Sequence, residues 1–327
     1  MRDGWDGSKS WTGLRVDGKF FWRKRKVFLR CEAAWHSGNS QLCLSLAGTG
    51  AGFAAAFAAM PPITRRDALR LTTALAMISF ARAAEAEGGF DFIAVNDLHF
   101  SDEKCAPFFQ NVVAQMRESA PKAALCLISG DLADRGTPEQ YTALRVCLDQ
   151  LGVPVFAVPG NHDYQTDEDR AAYDAAYPGR SNYVHTHGGW QFIGLDTTQG
   201  MEFDGTVIAD TTLAWCDENL PQLDARAPTV AFTHFPLGPD TVYRPRNADA
   251  LLARLGKLNL RGTFSGHWHG LNEQHIGSAD VLVNRCCARV RGNRDGSPLK
   301  GWTVGHATPD GTLTHRFVAL AAAENAR

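Results

Sequence analysis

The stretch VPVFAVPGNHDY, Val153–Tyr164, decides how the rest of the chain is read. A valine-rich apolar run ends at Pro159-Gly160, and Asn161, His162 and Asp163 follow at once. A turn needs glycine and perhaps asparagine, but not histidine and aspartate as well. Four more apolar runs end the same way. FDFIAV precedes Asn96-Asp97-Leu98-His99, and ALCLIS precedes Gly130-Asp131-Leu132-Ala133-Asp134-Arg135-Gly136. PTVAFT precedes His234-Phe235-Pro236, and RGTFS precedes Gly266-His267-Trp268-His269. Each run has the length and bounding turn residues of a buried strand, and each puts its polar cluster at the strand's C-terminal end.

Helical patterns separate the first three runs. Phe108, Phe109, Val112, Val113 and Met116 recur at helical spacing. A second helix starts with Thr137 as N-cap, Pro138 in the first position and Gln140 completing a capping box. Its apolar face holds Tyr141, Leu144, Leu148 and Leu151, and Gly152 stops it. Strand–helix–strand alternation implies parallel strands with right-handed crossovers, whose C-terminal ends share the edge where ligands bind. The five clusters are therefore expected to converge. GWTVGHATPDGTLTHRFVAL reads as a hairpin about Asp310-Gly311, expected to extend the second sheet.

The convergent donors are Asp97, His99, Asp131, Asn161, His234, His267 and His269. In extended chain, residues i and i+2 point the same way, so Asp97/His99 and His267/His269 would each present two donors to one place. Seven nitrogen and oxygen donors exceed one tetrahedral zinc but suit two metals with a shared ligand. The donor types favour manganese, iron, zinc or cobalt, as two divalent or mixed-valence ions. Two carboxylates leave such a pair cationic, which suits hydrolysis of an anionic ester, above all a phosphate ester, with a bridging hydroxide as nucleophile. His162 is then free to donate a proton to the leaving oxygen.

D-x-H, GDxxDRG, GNHD, a lone histidine after a strand and GHxH, in this order over roughly 90–320, resemble the calcineurin-like metallophosphoesterase superfamily. The resemblance implies an α/β fold, a four-layer α-β-β-α sandwich of two mixed β-sheets flanked by helices. It implies that Asp97, His99, Asp131 and His269 bind one metal, and that Asp131 bridges to a second held by Asn161, His234 and His267. It further implies His162 as the acid, Asp134 orienting it, and Arg135 touching phosphate as in the protein-phosphatase branch. The first cluster reads Asp97-Leu98-His99-Phe100 rather than GDxHG, and GHWH also differs from that branch. GVPVFAVPGNHD and WQFIGLDTT are more similar to the bacterial cyclic-nucleotide phosphodiesterase branch. There a second histidine often follows the one after the fourth strand, where this chain has Phe235. The expected activity is phosphate-ester hydrolysis, a phosphodiester before a monoester. The competing reading is a non-catalytic metal-binding module of the same fold.

Each motif alone is weak. D-x-H occurs by chance, GHxH can be a surface turn, and Asn161-His162-Asp163 can be an Asx turn with its own hydrogen bonds. Five such clusters at five strand ends are not a chance pattern. The other histidines are read blandly: His185 and His187 as an exposed strand edge, His275, His306 and His315 as structural. Asp196 and Thr197 are read as packing residues, Trp268 as pocket wall or core anchor, and Tyr164, Tyr243 and Arg244 as lining a substrate pocket.

Composition is that of an ordinary soluble protein, with 44% apolar and 21% charged residues among 327. A net charge of -2 gives no case for a nucleic-acid polymer or an anionic membrane as partner; the expected partner, from the site and the resemblance, is a small-molecule phosphate ester. The eight cysteines have no CxxC spacing, and Cys126 and Cys147 sit in apolar runs as small core residues. Residues 60–87 read as a twin-arginine export signal: Arg65-Arg66, an apolar segment Leu71–Ala81, then A-x-A patterns. At about 11 residues that segment is too short to span a bilayer, so a periplasmic or secreted location without a stable anchor is expected. Residues 1–59 ahead of Met60 read as a start-site misassignment or a disordered extension, and 321–327 as a frayed tail.

Overall fold

The structure, a computed structural model, describes residues 88–321 and the backbone of four strands nearer the N-terminus. The chain divides into two units, 1–83 and 84–327. In the first, β1 (Thr12–Val16), β2 (Lys19–Lys24), β3 (Val27–Ala34) and β4 (Cys43–Ala47) pair antiparallel in order. The expected export signal, 60–87, lies outside the described residues, as do the rest of 1–59 and nearly all of the tail.

The second unit holds two mixed sheets. One has β5 (Phe90–Val95), β6 (Ala123–Ser129) and β7 (Val155–Val158) in parallel, with β14 (Gly301–Ala307) and β15 (Leu313–Ala319) added antiparallel beside β5. The other has β9 (Trp190–Leu195), β10 (Pro228–Thr233), β11 (Asn259–Ser265) and β13 (Ala279–Val283) in parallel. Its antiparallel edges are β8 (Tyr183–His187) and β12 (Asn272–Ile276).

Three apolar layers explain why the strands read as unbroken hydrophobic runs: each sheet is covered on both faces. Alternate residues of β5 show it. Phe92 and Ala94 face Phe192, Phe232 and Phe264 of the other sheet. Ile93 and Val95 face α1 (Cys105–Ser119) and α2 (Pro138–Leu148) through Phe109, Val112, Met116, Tyr141 and Leu144. Behind the second sheet, Ile193, Leu195 and Ala231 pack against Cys216 of α3 (Asp210–Asn219) and Leu251 and Leu255 of α4 (Ala248–Leu255). The layers are thus α-β-β-α, as expected. Phe92 joins the sheets, with its ring 5.5 Å from those of both Phe192 and Phe264. Truncating it to alanine would cost about 3–5 kcal/mol.

The α2 signals hold as read. Thr137 accepts the Gln140 N–H in a capping box, and Gly152 ends the following turn at φ 76°. The C-terminal hairpin forms about Asp310-Gly311 but joins the first sheet, not the second. β5 begins the parallel trio and needs a partner on its open edge, which β14 supplies. His185 and His187 lie on edge strand β8 as read, while His306 pairs with Asp91 and His315 with Asp280. The six described cysteines are buried and free. Among the described residues no helix is long and apolar enough to cross a membrane.

Candidate metal centre

The C-terminal ends of β5, β6 and β7 from one sheet meet those of β10 and β11 from the other, so the site lies across the mouth of the sandwich. Peptide hydrogen bonds lace the turns together. The Asp97 N–H donates to Gly130 O at 3.1 Å, His99 N–H to Asp131 O at 2.9 Å, and Gly266 N–H to His234 O at 3.0 Å. The shared direction of Asp97/His99 and of His267/His269 has a different cause from the extended chain expected. All four are left-handed, at φ 52°, 45°, 65° and 50°, and Asp131 is at 53°. Non-glycine residues rarely adopt this region, and such strain concentrates at functional sites.

Two donor groups result. One atom each from Asp97, His99, Asp131 and His269 lies within 4.8 Å of the others, and so does one each from Asp131, His234 and His267. Asn161 joins the second group, its Oδ1 3.1 Å from His234 Nε2. Asp131 stands in both, with Oδ2 3.4 Å from His99 Nε2 and Oδ1 3.4 Å from His234 Nε2. All seven residues expected to converge do so, and all are buried.

Backbone carbonyls orient the imidazoles. A carbonyl only accepts, so His234 Nδ1 carries the proton toward Ser129 O (2.9 Å) and His267 Nε2 carries it toward Phe203 O (2.7 Å). The remaining lone pairs, His234 Nε2 and His267 Nδ1, face each other at 3.1 Å, and His99 Nε2 faces His269 Nε2 at 3.2 Å. His269 Nδ1 is likewise held by Gly292 O at 3.1 Å. Facing lone pairs beside two buried carboxylates repel unless a cation or proton lies between them. In the protein alone a proton on His269 serves the first group. Burial opposes a charge on His269, but the Asp97 carboxylate at 3.2 Å raises its pKa to about 11. Burial and the neighbouring His234 push His267 down to about 3. Asp97 and Asp131 are held below the ordinary carboxylate range, the facing histidines outweighing the burial that would raise them. Space is reserved too: a Cβ on Gly160 would collide with Asp131 Oδ1, and one on Gly130 with the His234 ring. This donor set fits divalent cations of the borderline type.

His162 sits beside the first group, its ring 4.7 Å from that of His99. Its peptide N–H donates to Asp131 Oδ1 at 2.8 Å, and its Nδ1–H is held by the Asp134 carbonyl at 3.0 Å. Asp134 thus contacts His162 through its main-chain carbonyl rather than its carboxylate. That carboxylate is taken by Arg291, through Nη2 at 2.6 Å and Nε at 3.1 Å, and lies 3.3 Å from His99 Nδ1. Arg135 is exposed, its main-chain N–H bonded to Gln140 Oε1. Asp163, fully buried, accepts from the Leu132, Ala133 and Gly160 N–H groups and the Tyr141 hydroxyl, stapling the GNHD turn to the GDLAD turn.

Sequence reading missed Arg291 and Asn96. The latter is buried and hydrogen-bonds Asp97 and Asn284 O. Only a rise in arginine density after GHWH hints at the former. Thr197 does more than pack: its hydroxyl accepts the Phe235 N–H at 3.0 Å, fixing the turn that carries His234. Of the expected pocket residues, Tyr243 borders His267 at 5.2 Å, whereas Arg244 pairs with Asp249 and Tyr164 bonds Thr198 and Arg170.

Residues 90–271 match the model of the calcineurin-like phosphoesterase family. A 3',5'-cyclic-nucleotide phosphodiesterase of Nostoc sp. is 30% identical over 166 residues, 49% of this chain and 61% of that protein. A cAMP/cGMP dual specificity phosphodiesterase of Mycobacterium tuberculosis is 27% identical, over 65% of this chain and 71% of that protein. The chain thus aligns with about three fifths of the first relative's length. A crystal structure of a dimetal phosphatase from Danio rerio superposes with a TM-score of 0.58 at 16% identity, covering 72% of this chain and 97% of that one, a likeness of fold.

Proposed function

The chain belongs to the calcineurin-like phosphoesterase family, and from that premise we propose that it is a metal-dependent hydrolase of phosphodiesters working with two cations. One observation carries the reading: Asp131 turns one oxygen to each of two donor groups, at 3.4 Å from His99 and from His234. Asp97, His99, Asp131 and His269 would hold one cation, and Asp131, Asn161, His234 and His267 the other. Bound there, two divalent ions supply Lewis-acid charge to phosphoryl oxygens and lower the pKa of a water.

The chain's own residues set the rest. Two carboxylates against two divalent ions leave a net positive pocket, which draws an anionic ester and excludes a cationic one. His162 has Nδ1 tied to the Asp134 carbonyl, so Nε2 is the atom left to donate to the leaving oxygen. The His162 N–H on Asp131 Oδ1 couples that donor's place to the shared carboxylate. The naming of relatives as phosphodiesterases supports the diester.

Metal analysis of the full chain, with hydrolysis of bis(p-nitrophenyl) phosphate and p-nitrophenyl phosphate, tests this. Two metals per chain and a preference for the diester are expected. A folded, metal-loaded protein inert on both esters would favour a binding module. A preference for the monoester would reassign the activity on the same site.

A further inference from the structure

Three loops meet on the His267 side of the centre. The loop after β9 brings Phe203, the loop after β10 brings Tyr243, and the loop between β13 and β14 brings Arg294. Phe203 gives its carbonyl to His267 Nε2 at 2.7 Å yet is itself 55% exposed. Tyr243 lies between them, its ring 5.2 Å from His267 and 6.1 Å from Phe203. Arg294 stacks its guanidinium 4.9 Å from the Tyr243 centroid, bonds the Tyr243 hydroxyl, and gives its peptide N–H to His269 O at 2.8 Å.

A surface tyrosine has no need of this. Tyr243 is held at φ 64°, a region a bulky aromatic residue enters only when its surroundings force it. What the strain achieves is a fixed ring beside a metal-ligand candidate, with a second, exposed aromatic residue beside it. Water gains nothing from an exposed phenylalanine at the mouth of a polar site, whereas a planar group can stack on it. Arg294 adds a cation that stacks on π-systems and pairs with phosphate.

We propose that Phe203, Tyr243 and Arg294 form a subsite for the planar aromatic part of the ester, a nucleobase, so that the substrate is a nucleotide phosphodiester and not a glycerol-based one. The assignment rests on the phosphoesterase reading above. Phe203 is the stacking face, Tyr243 the wall against His267, and Arg294 the residue that fixes Tyr243.

The test uses the metal-loaded full chain. Wild type, Phe203→Leu, Phe203→Trp and Arg294→Ala are assayed on 3',5'-cyclic AMP and on glycerophosphoglycerol, which carries no ring, and AMP binding is measured by calorimetry. The ratio of kcat/KM for the cyclic nucleotide over the glycerol diester should fall about tenfold in Phe203→Leu, mostly through KM. Phe203→Trp should restore it, and Arg294→Ala should lower it. An unchanged ratio in Phe203→Leu, or a wild-type preference for the glycerol diester, would overturn the subsite while leaving the hydrolase. A protein inert on both esters that still bound AMP through Phe203 would overturn the hydrolase and keep the subsite.

Discussion

Asp163→Ala should unfold the mouth of the sandwich before it touches the chemistry. Asp163 is fully buried and accepts four hydrogen bonds, from Leu132 N–H (3.2 Å), Ala133 N–H (3.0 Å), Gly160 N–H (2.8 Å) and Tyr141 O–H (2.8 Å). Alanine strands the three peptide donors, while the Tyr141 hydroxyl keeps the Asp163 carbonyl at 3.2 Å, and a buried unsatisfied donor costs about 1–3 kcal/mol. Two effects offset this: a buried carboxyl no longer has to be accommodated, and water entering the vacated space serves some donors. The net loss should be about 3–5 kcal/mol, or roughly 8–15 °C in melting temperature for a unit this size. Thermal unfolding in excess chelator reads it free of metal linkage. Burial, and next the negative charge of Asp131, raise the Asp163 pKa from 3.8 to about 6. A raised carboxyl pKa means that the folded state holds the proton more tightly. Its contribution is full below about pH 4 and is lost as pH rises through about 6. Asp163→Asn has no such titration, so its stability deficit against wild type should narrow from pH 4 to pH 7. Melting of Asp163→Ala within about 2 °C of wild type, or a deficit for Asp163→Asn that widens with pH, would refute the reasoning.

Asp131→Ala should lose bound metal and diester hydrolysis together, by metal analysis and assay, since both donor groups share that residue. His162→Ala should keep metal content while turnover falls by about 10²–10⁴, most for esters with poor leaving groups; an equal loss across leaving groups would remove it as the donor. Gly160→Ala should cut metal affinity without removing a ligand, because its Cβ displaces Asp131 Oδ1. Arg291→Gln should lower kcat more than it raises KM, with Arg291→Lys recovering part, because Arg291 holds the Asp134 carboxylate beside His99.

Much of this site was legible because a buried strand advertises its end. Apolar runs closing on Asp97, Asp131, Asn161, His234 and His267 gave the parallel strands and the convergence, while the four layers came from the family resemblance. The left-handed backbone at Asp97, His99, His267 and His269 was not legible, since nothing local demands φ near 50° from aspartate or histidine; only the cross-turn hydrogen bonds impose it. Arg291 and Phe203 escaped for the same reason: each acts through a loop remote in sequence, one on Asp134 and the other on His267. That Asp134 meets His162 through its carbonyl was not legible either, because a residue name does not say which of its oxygens turns inward. Turn chemistry at Asp310-Gly311 announced a hairpin, but the choice of sheet edge is a tertiary decision.

That hairpin has a consequence for how the molecule is made. β5, the first strand of its sheet to leave the ribosome, waits for a neighbour encoded some two hundred residues later. Until β14 has been synthesised, the segment carrying Asp97 and His99 has one edge unprotected. A fragment cut after residue 271, where the family match stops, would carry every proposed ligand and still lack the strand that braces two of them.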